Sequence, residues 1–223
     1  MSARLLLLWY HARLGLSWAA LAPPLALAAL LVGLSGTWPL SQRVRDLGMA
    51  LEVGLPLVAA LLAAPLLMAE RERETLCWLA ARAPLPAVLV VRLALLALYL
   101  LACCGLALLA AGLLWGAAPP WTAVLWGGTR AATFVSLALL ATSWSRATVH
   151  GYIAAATSWL GVLTFGSLMP GREPWLMLNP FAWSAGYSAD VVAHSMILYA
   201  AVGLLLLLPQ RALLRPERLL RQT

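Results

Sequence analysis

Few residues in this chain have the type and spacing that nucleophilic catalysis requires. Gly33-Leu34-Ser35-Gly36 matches the short Gly-x-Ser-Gly pattern of intramembrane serine proteases, in which His150 or His194 would have to act as the base. The same four residues are also typical of a loop at the end of an apolar run, because glycine and serine favour turns. Nothing in the spacing brings a histidine to Ser35, so the sequence predicts no enzymatic activity.

Metal binding has equally little support. His11, His150 and His194 are isolated, and no two of them have the i, i+4 spacing that places two ligands on one helix face. Asp190 and His194 do have that spacing, but such a pair is more often a hydrogen bond at the outer surface. We expect no cofactor on this chain, and no disulfide framework, because three cysteines with two of them adjacent in an apolar run are typical of small core residues: Cys77, Cys103 and Cys104.

Arg130 stands out because it lies near the middle of an apolar run from Trp121 to Ala141. A charge at the centre of a bilayer costs about 2.5–3.5 kcal/mol on insertion scales. Its side chain must therefore face protein or water. One interpretation is a contact with an anionic group of a cargo that crosses the membrane. The other, which we favour, is an internal partner or a side chain that extends toward the outer surface.

A second concentration of charge, residues 70–86, separates two long apolar runs and is called the charged segment below. Glu70, Glu72 and Glu74 alternate with arginines, and apolar residues then recur at helical spacing, with Leu76 and Leu79 on one face and Trp78 on its flank. Pro84 and Pro86 end the helix, because proline lacks the amide donor and clashes with the preceding turn. The pattern predicts a docking helix of about 15 Å, lying parallel to the membrane.

Arg130 and the charged segment need long apolar helices to hold them in position. The chain is 63% hydrophobic and only 10% charged, and its mean hydropathy is +0.89, well above the roughly 45–50% apolar content of soluble domains. A membrane span takes about 20 apolar residues. We therefore predict one all-α membrane domain over residues 1–223, with an interfacial helix at 1–15 and six spans, at residues 16–35, 51–69, 87–115, 121–142, 148–168 and 191–208.

The fifteen basic residues are all arginine, and they predict the orientation of the spans. Eleven fall on one side, which is therefore cytoplasmic and carries both termini and the charged segment; Arg43, Arg45 and Arg172 fall on the other. The formal charge of +7 thus indicates topology and contact with anionic lipid rather than nucleic-acid binding. Residues 168–190 are predicted to form outer re-entrant or interfacial helices, and residues 209–223 a cytoplasmic tail.

Several short motifs resemble those of ABC-2-type transporter permeases. The order Glu74, Thr75-Leu76, Leu79 and Pro84-Leu85, followed by Arg92 in an apolar helix, resembles the signature between the second and third spans of that family. Residues 141–147, and the run Asn179, Pro180, Phe181, Ala182 and Trp183, are similar to later parts of it. Family members often have glycine where this chain has Glu74. Residues 84–88 also resemble the permease branch of the cytochrome c biogenesis haem exporter.

The resemblance implies a permease subunit of an exporter in the inner membrane of a bacterium or archaeon, for a lipid-like, amphipathic or other small cargo. It implies two such permease chains, identical or not, on cytoplasmic ATPase subunits that hold ATP and Mg²⁺, since this chain has no Walker A motif and no lysine. The rival interpretation is a membrane scaffold that recruits a cytosolic partner. The expected outer gate is Asn179, Pro180, Phe181 and Trp183, the candidate cargo contact is Arg130, and the expected coupling residues are Glu70, Glu72, Glu74, Thr75, Leu76, Trp78, Leu79 and Arg82.

Overall fold

The computed structural model describes residues 21–36, 38–66, 85–168 and 189–210, and every regular element among them is helical. The predicted all-α class is confirmed for this part of the chain. We number the six helices in chain order: α1 (Ala22–Ser35), α2 (Leu40–Ala63), α3 (Leu85–Trp115), α4 (Thr122–Ser145), α5 (Thr148–Leu168) and α6 (Ala189–Leu207).

Four of these helices are long and apolar enough to cross a membrane: α2, α3, α4 and α6. Helix α1 is the described part of the span predicted at 16–35; it is apolar and has 14 residues, whereas a complete span needs roughly 17–25. Large apolar side chains such as Leu106, Leu113 and Leu204 point away from the protein and are more than half exposed. Lipid is the solvent in which such a surface is stable, and the described helices are therefore those of a membrane protein.

Helix α2 begins at Leu40 rather than at residue 51, and this part of the sequence-based prediction is wrong. Arg43 and Arg45, expected in an outer loop, lie within the first two turns of α2. The helix follows Pro39, and the Arg43 Nε donates to the Trp38 carbonyl over 2.6 Å. A search for apolar runs passes over this stretch because its helical pattern is amphipathic rather than uniformly apolar.

Helix α2 changes its winding halfway. It is an α-helix over Leu40–Met49, a π-helix over Ala50–Gly54 and an α-helix again over Leu55–Ala63. Pro56 supplies a physical reason, because it has no amide N–H to donate to the carbonyl four residues earlier, that of Glu52. Single π-turns inside α-helices occur frequently at functional sites.

Helix α4 occupies the centre of the bundle and packs against α2, α5 and α6. Small residues let the backbones approach closely, as is typical of membrane helices. A Cβ added at Gly127 would stand 2.5 Å from the Leu51 carbonyl oxygen, and one at Gly203 would stand 3.1 Å from the backbone of Ala132. Helix α4 ends at Arg146, which adopts the left-handed conformation with φ of 62°, and α5 follows at Thr148.

Helix α3 lies at the side of the bundle and packs chiefly on α1 and on the second half of α2. It contacts α4 near both of its ends. Leu85 and Leu89 pack in one cluster with Leu139, and Cys104 and Trp115 pack in another with Val124. A third cluster between these two contains Leu100 of α3, Ala131 of α4 and Ala59 of α2.

Several predicted segments fall outside the described residues. These are the interfacial helix at 1–15, nearly all of the charged segment, most of residues 168–190 and most of the tail at 209–223. Pro86 is described, and it lies in the first turn of α3, a position where proline is tolerated because the amide would have no helical acceptor.

Candidate functional site

Arg130 forms a buried ion pair with Glu52. The Nη1 of Arg130 donates to the Oε1 of Glu52 over 2.8 Å, and the two side chains are 2% and 0% exposed. This is the distance of a charge-assisted hydrogen bond. Arg130 therefore has the internal partner that one of our two interpretations requires.

Arg130 lies about 12 Å from the start of α4, a helix of about 36 Å, and so about a third of the way along rather than at the centre.

The approach of two helices makes this pair possible. Glu52 lies in the π-helical turn of α2, next to Leu51, whose carbonyl faces Gly127 of α4. Because Gly127 has no side chain, the backbone of α2 can approach α4 within van der Waals distance. Arg130 stands three residues further along α4, close to one turn, and its side chain therefore reaches the Glu52 carboxylate.

Helices α5 and α6 complete the surroundings of the pair. The Nε1 of Trp159 on α5 donates to the Val53 carbonyl over 2.8 Å, which gives an acceptor in the π-turn a partner. The ring of Tyr199 on α6 lies 5.6 Å from the Arg130 Cζ, within the range of a cation–π interaction. Four helices thus meet around one buried charge pair.

A small cavity adjoins the pair. It has a volume of about 10 Å³ and is lined by residues of all four helices, among them Glu52, Arg130, Trp159 and Tyr199. This is about the smallest volume that holds one water molecule. The site as it stands has no room for a cargo molecule, and a larger ligand could contact Arg130 only after the helices move apart.

The chemistry of this site is electrostatic. The pair has neither a nucleophile nor a set of metal ligands, and the described residues contain no group of three or more His, Cys, Asp or Glu side chains that could hold a metal ion. Removing one member of a buried pair typically destabilises a protein by about 3–5 kcal/mol, because the other charge is left alone in a medium of low polarity. The pair therefore holds α2 and α4 together in this conformation.

The serine of the Gly-x-Ser-Gly pattern has a structural role. Ser35 lies in the last turn of α1, where its hydroxyl donates to the Leu31 carbonyl over 2.7 Å. It also accepts a hydrogen bond of 2.9 Å from the Nε1 of Trp115 on α3. The hydroxyl thus links α1 to α3.

The other singled-out residues of the described helices are also structural. His194 donates from Nδ1 to the backbone carbonyl of Asp190 over 2.7 Å and is exposed. Cys103 and Cys104 are buried in α3 as free thiols, as predicted. Arg92, counted above as a surface topology signal, is only 4% exposed. Its Nη1 donates to the Leu66 carbonyl and so connects α3 to the end of α2.

Glu52 is the residue that the sequence-based analysis missed. It is the second residue of the apolar run predicted at 51–69, and an acidic side chain at such a place is as unusual as Arg130. Matching the acidic residues inside apolar runs to Arg130 would have found the pair. The expected coupling and outer-gate residues lie outside the described part of the chain, and their roles stay predictions.

Comparison of the chain with profiles of known protein families, with curated proteins and with solved structures finds no match.

Proposed function

We propose that this protein is the permease subunit of an ATP-binding-cassette exporter, driven by a separate ATPase subunit. The observation that carries the proposal is the Glu52–Arg130 pair, buried where four apolar helices meet. Ionisable residues inside membrane helices are rare, and they mark pathways and switching elements of transport proteins. The ABC-2-like motifs around the charged segment support the same assignment.

The proposed membrane arrangement has six spans, with α1 and α5 added to the four long apolar helices and both termini in the cytoplasm. Helix α5 supports this count because it packs against α4. It also has 21 residues, enough to cross the hydrocarbon region. A second permease chain and anionic lipids complete the complex, which we place in the inner membrane of a bacterium or archaeon.

The proposed mechanism uses the position of the charged segment in the chain. It lies between α2, which ends at Ala63, and α3, which begins at Leu85, and Arg92 of α3 donates to the Leu66 carbonyl just beyond the end of α2. A force applied to the segment by an ATPase subunit would therefore reach α2, and with it Glu52. Displacing α2 from α4 would separate Glu52 from Arg130 and make the arginine available to an anionic group of the cargo.

The energy for this displacement has to come from ATP binding. Moving a two-state equilibrium from mostly one state to mostly the other requires about 5.5 kcal/mol of differential binding. Separating a buried ion pair takes an energy of similar size, about 3–5 kcal/mol. Two docked ATPase subunits that hold ATP and Mg²⁺ can supply this energy. A scaffold that only recruits a passive partner needs no such energy source.

The decisive experiment is co-purification followed by measurement of coupled ATP hydrolysis. We expect the chain to purify with an ATPase that carries a Walker A motif. Trp78→Asp and Leu79→Asp should abolish stimulation of that ATPase by the permease, because both place a charge on the predicted docking face. Ala81→Asp, which adds the same charge on the opposite side of the predicted helix from Leu79, is the matched control for Leu79→Asp.

Two outcomes would contradict the proposal. If Trp78→Asp and Leu79→Asp hydrolyse ATP and export cargo normally, the charged segment is not the coupling element. If the ATPase binds and hydrolyses ATP but no cargo crosses the membrane in reconstituted vesicles, the scaffold interpretation is favoured. Mass spectrometry of small molecules in the purified complex would identify the cargo.

A further inference from the structure

A long apolar groove lies between α3 and α4, away from the ion pair. Its volume is about 340 Å³. On α4 its floor is formed by small residues, Gly128, Ala132 and Ser136, and on α3 it extends from Leu93 to Cys104. The groove is open toward the side of the bundle, since Gly128 and Ala132 are exposed.

The groove exists because the backbones of α3 and α4 stay apart, although Leu100 of α3 and Ala131 of α4 join Ala59 of α2 in one cluster that lines it. Small residues on α4 would allow α3 to approach closely, but α3 is held by α1 and α2 instead. The atoms that line an unfilled gap lose their dispersion contacts. An unfilled groove of this length would therefore be unfavourable in a packed membrane bundle.

We propose that this groove binds one acyl chain of a bilayer phospholipid. No charged residue is among those that line it, and the hydroxyl of Ser136 is already used, donating to the Ala132 carbonyl over 2.7 Å. An uncharged apolar lining complements an uncharged apolar occupant. Water is a poor alternative, because apolar cavities stay dry, and the groove lies between two helices that each qualify as a membrane span.

The dimensions of the groove fit one hydrocarbon chain. The lining extends over twelve residues of α3 and thirteen of α4, or about 17 Å, and the hydrocarbon half of a bilayer is about 15 Å thick. An apolar cavity of about 150 Å³ holds one benzene. A groove of 340 Å³ therefore has room for about twice as many carbon atoms, or roughly a dozen. A single acyl chain is therefore the occupant whose length and carbon count match the groove.

The orientation of the lipid follows from Trp121. This residue immediately precedes α4, is 46% exposed, and lies at the end of α4 where Val124 lines the groove. Tryptophan is enriched at the headgroup level of membranes. The headgroup of the bound lipid therefore belongs at the Trp121 face of the membrane, and its acyl chain extends from there toward Ser136. This inference concerns a resident lipid, and it does not depend on the ATPase.

The test is photolabelling in a defined membrane. The full chain is reconstituted in phosphatidylglycerol vesicles that contain a trace of phosphatidylglycerol with a diazirine in its acyl chain, and labelled peptides are mapped by mass spectrometry. We expect the label to concentrate on the groove residues of α3 and α4. Exposed leucines of α6, such as Leu204, should be labelled weakly.

A glycine substitution provides the matched variant. Gly128 lines the groove and a Cβ added there meets nothing within 4 Å, so Gly128→Leu adds an apolar side chain at the groove. It should reduce the groove labelling at least about tenfold, because the leucine displaces several methylene contacts of the lipid. Gly112→Leu on α3, also free of contacts within 4 Å, should leave the labelling unchanged.

The proposal fails if the groove is labelled no more strongly than Leu204. It fails equally if the labelling is unaffected by a properly folded Gly128→Leu variant, with folding judged by its elution and its unfolding temperature. Ala132→Leu, which fills the same space from the next turn of α4, provides an independent variant with the same expected loss.

Discussion

At the scale of single residues, the Glu52–Arg130 pair shows how a costly charge is tolerated inside a membrane protein. Each side chain is almost fully buried, and each is satisfied by the other. The π-turn of α2 and the missing side chain of Gly127 bring the two together. Neither charge would be stable in this environment without the other. Substitutions at the two positions must therefore have strongly coupled effects on the free energy of unfolding.

A double-mutant cycle tests this coupling. We expect Glu52→Gln and Arg130→Gln each to lower the free energy of unfolding by about 3–5 kcal/mol, because each removes the opposite charge that neutralises a buried side chain. The double substitution should restore a large part of that loss, since it removes both charges. Unfolding in mixed micelles measures the effect, with the exposed Arg45→Gln as control. Additive losses in the double variant would contradict a direct pair.

Two adjacent glycines give a second residue-scale prediction. Gly127→Ala should lower the free energy of unfolding by about 1–3 kcal/mol, because the added Cβ would stand 2.5 Å from the Leu51 carbonyl and push α2 away from α4. Gly128→Ala should be neutral or slightly stabilising, since its Cβ meets nothing within 4 Å. Thermal unfolding of the two variants in the same detergent is the measurement. Equal effects would mean that α2 and α4 are not in close contact at Gly127.

At the scale of the elements, the sequence predicts the helices better than the contacts between them. Uniformly apolar runs identified the ranges of α3, α4 and α6 because burial in lipid requires that composition. They failed for the first half of α2, whose pattern is amphipathic, and they gave no sign of the π-turn that positions Glu52. Such a turn depends on Pro56, a local effect that a search for apolar runs does not consider, and on the contact with Gly127, a tertiary effect that no periodicity reports.

The hydrogen bond between α5 and the π-turn can be tested directly. Trp159→Phe keeps the ring and removes the donor that serves the Val53 carbonyl. We expect it to lower the free energy of unfolding by about 1–3 kcal/mol, the cost of an unsatisfied polar group in a buried site. Trp38→Phe is the control, because Trp38 is 46% exposed. An equal effect of the two substitutions would show that the π-turn does not need this bond.

At the scale of the whole molecule, the helices of the bundle differ in how closely they pack against α4. Helix α4 and its neighbours α2, α5 and α6 pack closely around the ion pair, whereas α3 is separated from α4 by the groove. The charged segment comes between α2, which packs closely against α4, and α3, which the groove separates from α4. Movement transmitted through this segment would thus shift α2 relative to both α3 and α4. That shift would change the distance between Glu52 and Arg130.

Exchanging the two charges separates a structural role of the pair from a role in transport. In the double variant Glu52→Arg with Arg130→Glu, the pair is kept but the positive charge moves from α4 to α2. We expect the assembled complex and its basal ATP hydrolysis to recover relative to either single substitution, because no buried charge is left alone. Cargo-stimulated hydrolysis should still be lost, since the cargo would meet a carboxylate at position 130. Size-exclusion chromatography and ATPase assays on the same reconstituted samples measure both properties. Full cargo stimulation in the exchanged variant would show that Arg130 serves only to hold α2 against α4.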